Sequence, residues 1–172
     1  MSEKGTQSSV GRSADPVPDF AGWVAPHLGS MRLLASRLTP GAPDDVVQDA
    51  LVRAWRRRAT FDPSRGSART WLLAVVAGEA RRTRLRLRRR PYEELPAPSA
   101  RDLDRELDIQ RAVRGLPKRM RLAVELHYFV GLSVIETAQV MNVSEGTAKS
   151  TLHDARARLR PQLDAHLASE GT

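Results

Sequence analysis

The residues with the most specific chemistry in this chain lie on one polar helix face near the carboxyl terminus. Ser144 stands at an N-cap position, and the polar residues after it recur at helical spacing: Lys149, Ser150, His153 and Arg156. Such side chains form hydrogen bonds with base edges in the major groove of DNA. First-turn amides and hydroxyls, here those of Glu145, Gly146 and Thr147, bind phosphate. This face is therefore predicted to bind DNA.

A shorter helix and a tight turn must position that face. Ser133 is followed three residues later by Glu136, which is the spacing of a capping box. Asn142 tolerates the left-handed conformation that ends a helix. The second helix has an apolar side at steps of four, three and four, formed by Ala148, Leu152, Ala155 and Leu159. This is the helix-turn-helix pattern, although an ordinary amphipathic helical hairpin has the same periodicity.

A second candidate for binding chemistry is a run of arginines at the end of a long helix predicted from Ala68 to about Arg90. Glu79 is the acid that precedes this run of Arg81, Arg82, Arg84, Arg86, Arg88, Arg89 and Arg90. Cations at this density repel one another unless a polyanion lies beside them. The alternative is a frayed and solvated helix end.

Catalytic chemistry finds little support in the sequence. The histidines are scattered, without HxxxH or HExxH pairing, at His27, His127, His153 and His166. Gly66 and Gly78 are isolated, so neither belongs to a glycine-rich phosphate loop. The chain has no cysteine, which excludes disulfides and thiolate metal sites. We expect no enzymatic activity, no metal and no cofactor.

Composition points to a polyanionic partner. The chain has 172 residues and a formal net charge of +8, with a pI near 11.0. Nucleic acid is the first candidate partner for so basic a protein. An apolar fraction of 41% supports a packed core, and abundant Leu, Ala and Arg favour helix. Neither a membrane span nor a signal peptide is evident, so we expect a cytoplasmic protein with no membrane contact of its own.

The predicted fold class is all-α: two small helical domains joined by a flexible linker, the second a helix-turn-helix domain. Residues 1–18 are rich in Ser, Gly and Pro and are predicted to be a disordered tail. The first domain is expected at 19–90, the Pro-rich acidic linker at 91–101 and the second domain at 102–166, with a short tail at 167–172.

Three local expectations concern the ends and faces of helices. A helix is predicted from Pro43 to Arg58, with Trp55 on its buried face. Gly78 is expected to interrupt the long arginine-rich helix. Pro161 is expected to bend or end the last helix.

In their order along the chain, these motifs resemble the bacterial sigma factors of the extracytoplasmic-function (ECF) group, the minimal two-domain members of the sigma-70 family. Residues 43–55 (PDDVVQDALVRAW) are similar to the family's core-binding helix, and Phe61 to Leu72 to its promoter-melting segment. The second domain is similar to the region that reads the −35 element, in segments 116–121, 128–133 and 143–150. The resemblance covers roughly residues 20–163.

The resemblance implies a protein that binds core RNA polymerase, recognises the −35 and −10 promoter elements and promotes DNA melting. Polymerase contacts on the clamp coiled coil would come from Asp44, Asp45, Gln48, Asp49 and Arg53. Capture of an unstacked −10 base would come from Asp62, Ser64, Arg65, Gly66 and Ser67. Support for the melted strand would come from Trp71, Arg81, Arg82, Arg84 and Arg88. The −35 contacts would be Arg119, Ser144, Glu145, Gly146, Thr147, Lys149, Ser150, His153 and Arg156.

The implied partners are core RNA polymerase (clamp coiled coil and flap), promoter DNA and an anti-sigma factor, and the free chain is expected to be a monomer. Gly78 stands where the family usually has Asn, which predicts an unusual promoter preference. The alternative function is a stand-alone helix-turn-helix regulator that binds duplex DNA without polymerase. That alternative accounts for residues 116–160 and leaves the motifs at 43–72 unexplained.

Overall fold

A computed structural model of the chain describes Val17 and residues 19–87 and 104–169. Side chains are described throughout the first stretch and over residues 109–162 of the second. Outside these residues lie the predicted tail at 1–18 (except Val17), the last three arginines of the predicted run (Arg88, Arg89 and Arg90) and the linker at 91–101. All regular structure within the described stretches is helical. No helix within them is long and apolar enough to cross a bilayer.

The first domain begins with α1 (Phe20–Val24), a 3₁₀ turn (Ala25–His27) and α2 (Leu28–Leu38). After a turn come α3 (Pro43–Arg57) and α4 (Ala68–Leu87). Proline at the first position of α3 has the fixed backbone angle that a helix start needs. The long helices α2, α3 and α4 pack pairwise against one another. Their apolar faces supply a core that includes Met31, Leu34, Val46, Ala50 and Leu72.

The second domain contains α5 (Asp104–Gly115), α6 (Lys118–Val124), α7 (Val134–Met141) and α8 (Glu145–Ser169). A π-helical turn over Glu125–Phe129 follows α6 directly. Gly131 then turns the chain towards α7 with φ 76°, a conformation that costs glycine little. A small core of the domain joins Val113, Leu116, Val124 and Ala155.

The two domains share one hydrophobic core. Leu126, Val130, Leu132 and Val140 of the second domain are buried in the same cluster as the apolar residues of α2–α4. The most extensive contact between the domains is that of α7 with α4, and the π-helical turn contacts α2. The sequence predicts two linked domains, and the structure adds an interface in which they are packed together.

Two local predictions were wrong, and a third, that Pro161 bends or ends the last helix, was wrong about the helix end. Trp55 is 48% exposed, because its ring lies at the domain edge, where it packs edge-on against Phe20 with ring centroids 5.3 Å apart. Helix α4 runs without interruption through Gly78, since burial of its neighbours outweighs glycine's low helix propensity. Helix α8 continues past Pro161 to Ser169 and therefore includes part of the predicted 167–172 tail.

Candidate nucleic-acid interface

The helix-turn-helix is formed by α7, a turn and α8. The Ser133 amide donates to Glu136 Oε2 at 2.8 Å, and the Glu136 amide donates to Ser133 Oγ at 3.2 Å, which completes the predicted capping box. The Ser133 hydrogen bond lowers the pKa of Glu136. Asn142 has the predicted left-handed conformation, with φ 53° and ψ 54°. The Thr147 amide donates to Ser144 Oγ at 3.2 Å, which caps α8.

Helix α8 presents its polar side to solvent. Ala148, Leu152 and Ala155 are buried, and the opposite side is exposed at Lys149, Ser150, His153 and Arg156. Lys149 Nζ lies 2.6 Å from a Glu145 carboxylate oxygen. Because this ion pair is exposed, the lysine can readily exchange Glu145 for another anion. The first turn is open, because no atom lies within 4 Å of a Cβ built at Gly146. The arrangement leaves a continuous polar face free to enter a DNA groove.

The predicted base-capture loop precedes α4. Asp62 accepts hydrogen bonds from the Ser64 amide at 2.9 Å and the Ser64 hydroxyl at 2.7 Å, and these bonds lower the pKa of Asp62. Ser67 Oγ accepts from the Thr70 amide at 3.2 Å, which caps α4. The loop is therefore held in one shape, with the exposed Arg65 side chain at its end.

A cavity of about 390 Å³ adjoins this loop. One wall contains Phe61, Asp62, Arg65, Gly66 and Trp71. The opposite wall belongs to the second domain and contains Gln139, Val140 and Asn142. Of the candidate −10 residues, the structure thus brings Asp62, Arg65, Gly66 and Trp71 together at this cavity, and it also places α7 against them.

Trp71 is partly buried in an aromatic cluster of the first domain. Its ring centroid lies 5.7 Å from that of Trp23 and 5.9 Å from that of Phe61. Edge-to-face and tilted contacts of this kind fix ring orientation. Trp71 therefore has a packing role in addition to its predicted role beside a melted strand.

The arginines of α4 divide into two groups. Arg82 pairs with Glu79, and Arg86 Nη2 lies 3.0 Å from Asp49 Oδ2. Arg81 and Arg84 instead line a cleft of about 1130 Å³ between the domains. The other cations that line this cleft are Arg114, Lys118, Arg119, Arg121 and Arg158. Among the residues that the structure describes, those that line the cleft include no carboxylate, so their side chains form a strongly electropositive surface.

The candidate polymerase-binding residues lie on the outer side of α3. Asp44, Asp45, Gln48 and Asp49 are exposed. Two of them pair with arginines of the same domain: Asp44 Oδ1 with Arg32 Nη2 at 3.0 Å, and Asp49 with Arg86. Such exposed pairs stabilise little and exchange readily with a charged partner.

Glu79 is a buried carboxylate whose position sequence reasoning did not predict. It is 3% exposed and pairs with both Arg53 of α3 and Arg82 of α4. The buried carboxylate therefore fixes the direction of Arg53 on the candidate polymerase-binding face. The sequence feature that could have predicted this pairing is the position of Glu79 before a run of arginines, three residues ahead of Arg82 on a helix.

The fold and these surfaces define the class: an all-α, two-domain helix-turn-helix protein with a basic interdomain surface. Sequence profiles of two domains match it, Sigma-70 region 2 at residues 23–90 and Sigma-70, region 4 at residues 106–159. The RNA polymerase sigma-E factor of Streptomyces coelicolor is 34% identical over 159 residues, which cover 87% of this chain and 88% of the relative. The ECF RNA polymerase sigma factor SigL of Mycobacterium tuberculosis is 32% identical over 147 residues, covering 78% and 82%.

Longer relatives and solved structures agree with this assignment. The ECF sigma factor SigE of Mycolicibacterium smegmatis is 30% identical over 165 residues, and the match spans 63% of that protein. The sigma factor RpoE of Bartonella quintana, solved with the anti-sigma factor NepR, aligns over 85% of this chain and 97% of its own, with a TM-score of 0.68 and 27% identity. CnrH, solved with the cytosolic domain of CnrY, aligns over 85% and 88% with a TM-score of 0.63. The chain belongs to the ECF group of the sigma-70 family.

Proposed function

We propose that the chain is an RNA polymerase sigma factor: it binds core polymerase, recognises −35 and −10 elements and promotes promoter melting. The observation that carries the proposal is the presence, in order, of a sigma-70 region 2 and a region 4, the latter with a solvent-exposed polar face on its second helix-turn-helix helix. We take residues 19–90 and 102–166 as the two functional units. The family's members direct polymerase and do not themselves catalyse a reaction.

Recognition of the −35 element is assigned to α8. Lys149, Ser150 and His153 are exposed on one side and would meet base edges. Ser144, Glu145, Gly146 and Thr147 form the first turn and would meet phosphate, with Arg156 and Arg119 as further candidate cations. The Lys149–Glu145 pair would open on binding, since a phosphate competes directly for the ammonium group.

Capture of the −10 element is assigned to the loop from Asp62 to Ser67. Its fixed shape, given by the Ser64 and Thr70 hydrogen bonds, preorganises a pocket for an extruded base. Arg81 and Arg84 are placed on α4 downstream of the loop and would hold the phosphates of the melted strand. Arg82 is shared with Glu79, so its contribution to strand binding should be smaller.

Docking on core polymerase is assigned to α3. Asp45, Gln48 and Asp49 would face a basic surface of polymerase, and Glu79 would hold Arg53 in register with them. Charge reversal of Asp45 and Asp49 to lysine should weaken core binding by tenfold or more, roughly the effect of removing two interface ion pairs and adding repulsion. The same reversal at Asp154, an exposed carboxylate of α8, is the matched control and should leave core binding unchanged.

We also propose that an anti-sigma factor holds this chain inactive, as NepR is bound to the Bartonella quintana sigma factor. Such a partner must cover the α3 acidic face or the polar face of α8. Charge reversal at Asp45 and Asp49, combined with Lys149→Glu, should therefore reduce its affinity. An anti-sigma factor that bound this variant as tightly as the wild-type chain would contradict the assignment.

The function is tested by transcription with sigma-free core polymerase from a related bacterium on fragmented genomic DNA. Defined transcripts that depend on the chain and share upstream elements are expected. The Asp45→Lys, Asp49→Lys variant should yield few or none of them. A chain that shifts duplex DNA but neither binds core polymerase nor supports any transcript would favour a stand-alone regulator.

A further inference from the structure

The cleft between the domains concentrates positive charge from both of them. Its volume is about 1130 Å³, just above the roughly 300–1,000 Å³ that is typical of small-molecule pockets. Arg81 and Arg84 of α4 line the cleft from the first domain. The second domain supplies the other cations: Arg114, Lys118, Arg119, Arg121 and Arg158. Seven cations around one concave space raise the local concentration of anions there.

These cations have no acidic partner in the described part of the chain. Arg84 and Arg121 are half-buried, and no carboxylate within the described stretches lies at salt-bridge distance from any of the seven. Arg37, at the same domain interface, differs because it donates to the carboxylate of Glu125. Partly buried charges that lack a counter-charge are costly, so the cleft favours a bound anion.

Duplex DNA on the polar face of α8 does not account for these cations. Arg158 follows Arg156 by two residues, which is about 200° around a helix, so the two side chains leave α8 on different sides. Lys118 and Arg121 belong to α6, which is not part of the helix-turn-helix. A duplex seated on the polar face of α8 therefore leaves this set of cations unused.

The residues around the cleft suit a chain of phosphates. Six of the seven cations are arginines, and the planar guanidinium group binds phosphate oxygens in pairs. A phosphate chain carries its charges on adjacent groups, whereas an acidic peptide has one side-chain charge for roughly every 3.3 Å of extended backbone. Apolar side chains between the arginines, which include Leu85, Leu122, Met141 and Val143, offer a surface for a nucleoside base.

We propose that this cleft binds an oligophosphate anion, a chain of three or more phosphates that is either free or carried by a nucleoside. The anion would bridge Arg81 and Arg84 of the first domain to Arg121 and Arg158 of the second. The proposal goes beyond the proposed function and concerns the chain alone. It is therefore tested without polymerase or promoter, and its failure would leave the proposed function untouched.

Two lysines locate the site in the unmodified chain. Lys118 lines the cleft, whereas Lys149 lies on the exposed face of α8. Acetic anhydride reacts with the two amines, and mass spectrometry measures each rate. Saturating sodium tripolyphosphate should slow acetylation of Lys118 about tenfold or more, since a bound phosphate shields the ammonium group and retains its proton, and should slow Lys149 less than about twofold. Equal slowing at both lysines, or none at Lys118, would overturn the proposal.

Paired substitutions test which cations hold the anion. Arg121→Gln, Arg158→Gln removes two cations of the cleft. Arg56→Gln, Arg160→Gln is the matched control, because it removes the same net charge from exposed positions that do not line the cleft. In titration calorimetry with tripolyphosphate, the cleft variant should lose about tenfold or more in affinity, roughly the effect of one charge-assisted hydrogen bond, and the control less than about threefold. Equal losses would show attraction by net charge alone and would contradict a site.

A single substitution guards against a folding failure of the cleft variant. Arg158 is exposed, so Arg158→Gln should leave the fold intact, and circular dichroism checks that the helices are retained. The affinity for tripolyphosphate should fall in the same direction by about threefold or more. An unchanged affinity in the folded Arg158→Gln chain would also contradict the site.

The source of the phosphates is decided by titrations in buffer without divalent cations. Orthophosphate should bind at least about tenfold more weakly than tripolyphosphate, because it reaches fewer arginines. ATP that binds more tightly than tripolyphosphate would support the nucleotide form of the proposal, and ATP that binds equally or more weakly would support the free form. Orthophosphate as tight as tripolyphosphate, or no binding of tripolyphosphate, would overturn the proposal.

An acidic peptide and a short nonspecific duplex represent the macromolecular alternatives. A capped tetraglutamate peptide should bind the wild-type chain more weakly than tripolyphosphate does. The affinity for the duplex should fall at least as much in the control variant as in the cleft variant, because Arg160 lies one helical turn after Arg156 on the polar side of α8. A peptide that bound more tightly than tripolyphosphate, or a duplex weakened by the cleft variant alone, would assign the cleft to that ligand instead and would refute the oligophosphate site.

Discussion

Removal of the capping hydroxyl at Ser133 should destabilise the helix-turn-helix measurably. Ser133→Ala deletes the acceptor for the Glu136 amide and keeps the reciprocal bond from the Ser133 amide to the Glu136 carboxylate. Loss of an N-cap hydroxyl typically costs about 1 kcal/mol, within roughly 0.5–2 kcal/mol. The second bond is shorter, at 2.8 Å, and survives in Ser133→Ala. The cost should therefore lie in the middle of that range.

The assay is urea or thermal unfolding followed by circular dichroism. For a chain of this size, about 1 kcal/mol corresponds to a fall in Tm of roughly 2–4 °C. Ser36→Ala is the matched control, because Ser36 is an exposed helical serine whose hydroxyl donates to the Leu33 carbonyl at 2.8 Å and caps nothing. The reasoning is refuted if Ser133→Ala lowers the free energy of unfolding no more than Ser36→Ala does.

Three further predictions follow from single side chains. Asn142→Ala should lower stability by about 1 kcal/mol in urea unfolding, because alanine tolerates the φ of 53° less well, while Asn142→Gly should be neutral or stabilising. The pKa of Glu136 is lowered in the folded chain, so the stability that its carboxylate contributes is complete above about pH 4.3 and is lost as the pH falls. Glu136→Gln should flatten that part of the curve of unfolding free energy against pH. An unchanged curve would contradict the assignment. In promoter-binding titrations, Lys149→Ala should change the preference for −35 sequences. Arg84→Ala should instead weaken binding to all promoters and reduce the slope of log affinity against log salt concentration by about 1. Identical effects of the two substitutions would argue against their separate roles.

The helix-turn-helix could be predicted in detail from sequence, because its signals are local. Ser133 and Glu136 form the capping box, Asn142 ends α7, and Ser144 caps α8, all as their spacing indicated. Each of these interactions joins residues no more than a few positions apart. Local hydrogen bonding therefore decides them, and tertiary packing does not alter the outcome.

The interface between domains could not be predicted, because periodicity shows that a residue is buried but not what buries it. Leu126 and Val140 are apolar residues of the second domain, and the structure packs them against the first. Glu125 and Arg37 lie 88 positions apart, and no spacing rule joins them. Long-range pairing of this kind depends on the assembled fold.

Errors at single residues have the same origin. Helical periodicity places Trp55 on the apolar face of α3, but the residue lies near the helix end, where neighbouring elements no longer cover that face. Pro161 removes one backbone donor and yet does not end α8. Glu79 shows the opposite case, a charged residue that is buried because two arginines surround it.

The most direct test of the sigma-factor assignment is transcription by sigma-free core polymerase with and without this chain, on genomic DNA fragments, with the Asp45→Lys, Asp49→Lys variant alongside. We predict discrete transcripts that require the wild-type chain, begin at defined positions and share sequence elements near −35 and −10. The variant should support few or none of them. No chain-dependent transcript, from a preparation in which the chain is folded and the polymerase responds to another sigma factor, would contradict the assignment.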